Sequence, residues 1–174
     1  MTIDNIRSDQ TYSGNINFTG TASLPNQTID NNAVKNDAAI AAEKLQHQHP
    51  ITVELAEEST AVVAIEKLIH CSRVIGEVVA LEAVVITAAT GADRTVNIDL
   101  QKSTAAGAFA TVLTSTLEFD DSSTALTVEA GVVDATEASL ADGDLLKLVI
   151  TVAGSAANQA IGLMATITIQ ENAS

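Results

Sequence analysis

The hydrophobic and polar positions of the chain follow two different patterns on either side of His49-Pro50. Residues 1–36 are rich in Asn, Thr, Asp, Ser and Gly and carry only isolated apolar residues. Such a segment cannot bury enough apolar surface to fold alone. From Ile51 onward apolar and polar residues alternate with a period of two, as they do in strands with one buried face. The pattern therefore predicts an extended N-terminal arm (1–36), a short helix and linker (37–50) and a β domain (51–174).

The β domain is predicted to contain about eight short strands. Turn signals such as Thr90-Gly91-Ala92-Asp93 and Asp142-Gly143-Asp144 separate them. The segment Ala61–Ile69 is also compatible with a helix, although the strand interpretation is preferred. Strands are expected near Ile51–Ala56, Ala61–Ile69, Ile75–Thr87, Thr95–Gln101, Phe109–Leu117, Leu126–Val133, Leu145–Val152 and Leu163–Gln170. About eight strands separated by turn signals favour a mainly β fold, an antiparallel β-sandwich of the jelly-roll type.

A helix is predicted from about Asp37 to Leu45, and Pro50 prevents it from continuing further. Ala38, Ala41 and Leu45 share one face of this helix at steps of three and four residues. So narrow an apolar stripe is not stable in water without a partner. We therefore expect these three residues to form a subunit interface with a symmetry-related copy.

The arm carries scattered apolar residues that have no core of their own to enter. Tyr12, Ile16 and Phe18 lie at nearly strand-like spacing in TYSGNINFTG, and Leu24 and Ile29 follow. An extended segment of this kind can add to the exposed edge of a sheet on another chain. These five residues are predicted to form a partner-binding arm.

Composition and charge narrow the classes of partner. The chain has 174 residues, 22 acidic against 8 basic, and a formal net charge of −14. Such a surface repels phosphate backbones and anionic lipids, so nucleic acid and membranes are not expected partners. Cys71 is the single cysteine and MTIDNIRSDQ lacks the pattern of a secretory leader, so synthesis in a reducing cytoplasm is expected. With aromatic residues at only 2%, the core must be built from Val, Ile, Leu and Ala.

Motifs of the common enzyme classes are missing from the sequence, which predicts a non-enzymatic protein. There is no phosphate-binding loop, dinucleotide fingerprint or serine elbow. His70 and Cys71 suggest a thiol nucleophile, but neighbours on a strand point to opposite faces, so an inert buried cysteine is expected. The carboxylates of Asp120-Asp121 and of Asp142 and Asp144 are candidate calcium ligands, although hydrogen bonding within turns already explains them.

Three stretches of the sequence resemble known proteins. YSGNINFTGTASLP, NNAVKNDAAIAAEKLQHQH and the closing GDLLKLVITVAGSAANQAIGLMATITIQE resemble virion structural proteins of tailed bacteriophages, particularly capsid decoration (cement) and head-fibre proteins. The resemblance implies an arm that grips the major capsid protein or a neighbouring subunit, and an outward β domain that is often trimeric. It implies a location on the capsid surface after synthesis in the host cytoplasm, and leaves head, tail and fibre open.

A fibre-tip or host-surface module that binds carbohydrate is the alternative function. Sugar recognition usually needs flat aromatic platforms. The whole aromatic supply is Tyr12, Phe18, Phe109 and Phe119, and two of these lie in the arm. This weighs against the alternative.

His47 and His49 form the only pattern that suggests a transition-metal site. In an extended segment both rings point the same way, and two imidazoles are too few for a closed site. A trimer would place six around a threefold axis, where they could surround Fe²⁺, Ni²⁺ or Zn²⁺, an arrangement similar to the His-x-His triplets of phage spike proteins. The alternative is that both rings cap the end of the preceding helix or pack on a neighbouring subunit.

Overall fold

The computed structural model describes residues 47–91, 93–104, 107–154 and 157–171, and within these ranges the chain is mainly β with no helix. Their strands form two antiparallel sheets. The strands are β1 His47–Ala61, β2 Ile65–Cys71, β3 Gly76–Thr87, β4 Thr95–Ser103, β5 Ala110–Thr111, β6 Leu117–Phe119, β7 Glu129–Gly131, β8 Ser139–Leu140, β9 Leu145–Ala153 and β10 Ile161–Glu171.

Each sheet combines strands that are distant in the sequence. Sheet I has the order β1-β10-β3-β7, and β8 also pairs with β3. Sheet II has the order β2-β9-β4-β5, and β6 also pairs with β4. All of these pairs are antiparallel, including the nine-residue register that joins β4 to β9 from Thr95↔Ala153 to Ser103↔Leu145.

The core is built from the alternating residues that the sequence pattern identified. On β4 and β9, Val96, Ile98, Leu100, Leu146 and Leu148 are 0% exposed. The inward residues of β10 and β3 join the same buried cluster, so one core draws on both sheets. Each aliphatic side chain buried in this way contributes on the order of 1.5–3 kcal/mol relative to full exposure.

The structure confirms four predicted strands with shifts of one or two residues at their ends, namely β3, β4, β9 and β10. The segment Ala61–Ile69 is divided instead, since β1 continues to Ala61 and β2 begins at Ile65. Between them Val62 is buried and its N–H donates to the carbonyl of Ala160 at 2.8 Å. The helical alternative for this segment is therefore wrong.

The least accurate strand predictions fall in the middle of the domain. The single strand expected over Phe109–Leu117 is two short strands, β5 and β6, which both pair with β4. The strand expected over Leu126–Val133 shrinks to β7, because Leu126 has a positive φ of 59° and lies in a turn. The sequence did not predict β8.

β1 begins at His47, four residues before the predicted strand, so residues 47–50 of the expected linker belong to the sheet. Pro50 lies opposite Thr168 on this strand. A proline is tolerated there because, in the described part of the chain, β1 pairs only with β10 and its other side needs no N–H donor.

Several predictions fall outside the described residues. These are the arm (1–36), the helix from Asp37 to Leu45, the arm anchors Tyr12, Ile16, Phe18, Leu24 and Ile29, and the interface residues Ala38, Ala41 and Leu45.

Candidate interaction site

Two neighbouring stretches of the fold, β1 and β2, present free strand edges. Within the described residues β1 pairs only with β10 and β2 pairs only with β9. β1 is 15 residues long and β2 is 7. The outer side of each strand therefore carries backbone N–H and C=O groups that can pair with another chain.

Apolar side chains accompany these free edges. Leu68 on β2 is 62% exposed and Ile65 is 38% exposed. On β1, Ile51, Val53 and Leu55 are only partly buried against the core. Because these side chains sit where each sheet ends, an added chain would cover them together with the strand edge.

Lys67 lies between the two edges. It is opposite the buried Leu148 on β9, so its side chain starts from the inner face of sheet II. Its Nζ donates to the carbonyl oxygen of Glu54 on β1 at 3.2 Å. An inward-pointing charge is a common device that limits uncontrolled pairing of an edge strand.

His47 and His49 lie on β1, where their rings have a centroid separation of 6.4 Å and an interplanar angle of 26°. His49 Nε2 is 3.3 Å from Glu171 Oε2 on the neighbouring strand. In the described ranges no three His, Cys, Asp or Glu side chains are grouped so that they could hold a metal ion. The threefold metal site remains a prediction, since it requires other copies of the chain.

His70 brings the third histidine of the chain to the same end of the molecule. It lies on β2 opposite Leu146, on the inner face of sheet II. Burial of the ring is the largest influence and lowers the His70 pKa, the Glu171 carboxylate raises it and His49 lowers it again. The net result is a pKa below the ordinary histidine value, so this ring is neutral at neutral pH.

The sequence correctly predicted that Cys71 and His70 point to opposite faces of the strand, but it did not predict how exposed Cys71 is. Cys71 pairs with Leu145 and His70 with Leu146, so the two side chains point to opposite faces as expected. Cys71 is exposed, however, because β2 is an edge strand and its outer face is not covered by the described residues. The expectation of a buried cysteine is wrong.

The acidic turns form hydrogen bonds within themselves. Asp120 Oδ1 accepts from Ser122 N at 2.8 Å and from Ser122 Oγ at 2.7 Å, and these bonds lower the pKa of its carboxyl group. Asp144 is 4% exposed and its Oδ2 accepts from Ala141 N at 2.9 Å. Turn geometry therefore accounts for both carboxylates, as the alternative to calcium binding predicted.

Of the two described phenylalanines, one is buried in the core and the other is half-buried beneath a lysine. Phe119 is 0% exposed, within the core. The face of Phe109 is covered by Lys147, whose Nζ lies 4.4 Å from the ring centroid and 2.8 Å from Glu66 Oε2. This arrangement does not favour stacking of a sugar ring at either position.

A surface that sequence reasoning missed lies on the outer face of sheet I. There, a groove of about 400 Å³ is lined by Glu54, Ala56, Glu58, Val84, Ile86, Leu126, Gly162, Leu163 and Met164. The signal in the sequence was the run Val84-Val85-Ile86, because consecutive apolar residues on a strand place apolar side chains on both of its faces.

No family model matches the chain, and no curated protein matches it. None of the described residues forms a helix that is long and apolar enough to cross a membrane.

Proposed function

We propose that this chain is a non-enzymatic structural protein of a virion, a capsid decoration (cement) protein. In this proposal the β domain self-associates as a homotrimer through the edge formed by β1 and β2. Residues 1–36 attach it to the major capsid protein or to a neighbouring subunit.

The strand order is the observation that carries the proposal. When β5 and β6 are counted as one strand and β7 and β8 as another, the domain has eight strands in the orders 1-8-3-6 and 2-7-4-5. In this count of eight, successive strands alternate between the sheets except where the fourth strand is followed by the fifth. This order supports a jelly roll, an architecture used in viral capsid proteins as well as in lectins and cupins.

The free edges support self-association in particular. A structural protein functions by burying interface area, and β1 and β2 supply backbone partners together with half-exposed aliphatic side chains. The surface is acidic overall, with a net charge of −14, so apolar and backbone contacts must outweigh repulsion between copies.

Light scattering on the full chain tests the self-association. We expect a mass of three times the 17.9 kDa of one chain. Leu68→Lys should shift the protein to monomer, because it places a charge at the proposed interface. Val132→Lys is the matched control, because Val132 is also 62% exposed but lies outside β2. A monomeric wild-type protein, or equal effects of both substitutions, would contradict the proposed interface.

Binding to capsids tests the attachment. A chain without residues 1–36 should remain a folded oligomer but fail to add to empty capsids of the phage whose genome encodes it. Normal decoration by the truncated chain would show that the arm is not the attachment element.

A further inference from the structure

The outer face of sheet I carries a second surface that the proposed function does not use. Met164 on β10 pairs with Glu54 on β1 and with Val84 on β3, so these three side chains form one row across the sheet. A smaller depression adjoins the groove and shares Val84 and Met164 with it, and Val128 contributes to its lining.

Large apolar side chains remain exposed along this face. Leu126 is 72% exposed, Val128 59%, Met164 45% and Ile86 37%. A hydrophobic surface of this kind marks an interaction site more often than isolated exposed residues do.

The local backbone holds this surface in shape at an energetic cost. Leu126 adopts a left-handed φ of 59°, a conformation that is unfavourable for a residue with a Cβ atom. Its N–H donates to the carbonyl of Val85 at 2.9 Å, which anchors the turn to β3. Gly162 has a φ of 62°, and a Cβ there would lie 2.9 Å from Ile86 Cδ1. The glycine therefore leaves the space that Ile86 occupies in the floor of the groove.

Carboxylates surround the apolar floor. Glu54 and Glu58 line the groove from β1, and Glu82 lines the adjoining depression from β3. None of the three takes part in an ion pair within the described residues, where the acidic partners are Glu66, Asp93 and Glu171. The rim carboxylates therefore form no ion pair within the described residues, and Lys67 Nζ donates to the Glu54 backbone carbonyl rather than to its carboxylate.

We propose that this groove binds an amphipathic, cationic segment of another protein. Aliphatic side chains of the partner would enter between Met164, Ile86 and Leu126, while its Lys or Arg residues would meet Glu54, Glu58 and Glu82. Opposite charges at the rim of an interface give specificity and speed association. The proposal concerns the outer face of sheet I alone and does not depend on the edge formed by β1 and β2.

Charge also argues against the two other occupants. A second copy would bring its own three rim carboxylates against these, in a chain whose net charge is −14. Residues 1–46 of the same chain are acidic as well, since they contain five acidic residues and three basic ones, Asp4, Asp9, Asp30, Asp37 and Glu43 against Arg7, Lys35 and Lys44.

A defined peptide provides the test. The probe is a capped, fluorescein-labelled 14-residue peptide in which Lys alternates with Leu or Val, titrated with the full chain and followed by fluorescence anisotropy. Two control peptides keep the length, one with Lys alternating with Gln and one with Glu alternating with Leu. We expect binding of the first peptide only, weakened at least tenfold by Leu126→Asn and by the triple substitution Glu54→Gln, Glu58→Gln and Glu82→Gln.

The matched control variant neutralises three exposed carboxylates elsewhere in the described chain, through Glu118→Gln, Glu137→Gln and Asp142→Asn. It changes the net charge by the same amount and should leave peptide binding within twofold of wild type. Equal weakening by both triple variants would show that binding follows total charge, and would overturn the proposal.

Methionine labelling locates the bound peptide. The chain has two methionines, Met1 and Met164, so methyl-labelled protein gives one reporter inside the groove and one in residues 1–46. The Met164 methyl signal should move on titration with the Lys and Leu or Val peptide. A static Met164 signal during binding would overturn the proposal, as would a Met164 signal that moves with protein concentration alone, which would assign the groove to a second copy.

Discussion

The outer faces of the two sheets are made of the same kind of antiparallel strands, yet their side chains are arranged in different ways. On sheet II, Asp99 accepts hydrogen bonds from Thr111 Oγ1 at 2.5 Å and from Gln101 Nε2 at 2.8 Å. Lys147 forms an ion pair with Glu66. Around the groove on sheet I, aliphatic side chains are exposed beside carboxylates that have no ion-pair partner in the described residues.

This difference separates a solvent surface from a binding surface. Polar groups that satisfy one another on sheet II gain little from a partner, because binding would exchange one set of hydrogen bonds for another. Exposed aliphatic groups on sheet I gain from any partner that removes them from water. Substitutions in the groove on sheet I should therefore change peptide binding, and substitutions in the Asp99 network on sheet II should change stability.

The largest expected effect on the free energy of unfolding comes from adding a side chain at Gly162. Gly162→Ala forces a side chain into a left-handed conformation and against Ile86, so we expect a loss of about 2–4 kcal/mol in the free energy of unfolding. Gly143→Ala is the control, because φ is 89° there but no atom lies within 4 Å of the added Cβ. Urea denaturation of both variants measures the difference. Equal losses would mean that Ile86 does not occupy this space.

The second effect contrasts one carboxylate from each face. Asp99→Ala removes the acceptor of Thr111 and Gln101, and in this partly exposed network we expect a loss of about 1–2 kcal/mol. Glu54→Ala removes a side chain that has no ion-pair partner in the described residues, so its effect should stay within about 0.5 kcal/mol. A larger loss for Glu54→Ala in the same urea titrations would contradict the contrast between the faces.

The sequence predicted the inner faces better than the outer ones. In β4, β9 and β10 the buried and wet faces differ in chemistry, so the period of two was visible and the strands were correct within two residues. Both faces of β3 carry apolar residues at Val84, Val85 and Ile86, so the period of two is not visible there. The sequence therefore did not show that Val84 and Ile86 line an exposed groove. The groove also depends on Leu126 and Met164, which are about 40 residues apart, and alternation within one strand does not reveal such contacts.

The short strands escaped prediction for a different reason. β5 to β8 contain two or three residues each, which is too short for a visible alternation of apolar and polar residues. Their pairing with β3 and β4 depends instead on the turns that connect them. The early start of β1 was hidden by Pro50, which usually signals the end of a regular element but is acceptable on an edge strand.

The third effect is a gain in stability. Leu126→Asn should raise the free energy of unfolding by about 0.5–1 kcal/mol, because asparagine tolerates a positive φ better than leucine does. Little burial is lost, since Leu126 is 72% exposed. The same variant should bind the cationic peptide more weakly. A protein that becomes more stable and binds less well would indicate that Leu126 is kept for contact rather than for folding. A loss of stability measured by urea denaturation would instead assign Leu126 to the support of β3.

The smallest effect concerns pH at the edge formed by β1 and β2. The folded protein holds the pKa of His70 below its unfolded value, chiefly by burial, while Glu171 opposes and His49 reinforces the shift. Above the unfolded pKa the ring is neutral in the folded and unfolded states, so it does not make stability depend on pH. As the pH falls through the unfolded pKa, the unfolded chain takes up a proton that the folded one does not, so stability falls until the folded pKa is passed. Between pH 7.5 and pH 5.5 the urea midpoint of the wild type should therefore fall more than that of His70→Gln. Equal losses in the two proteins would mean that His70 does not control the response to acid.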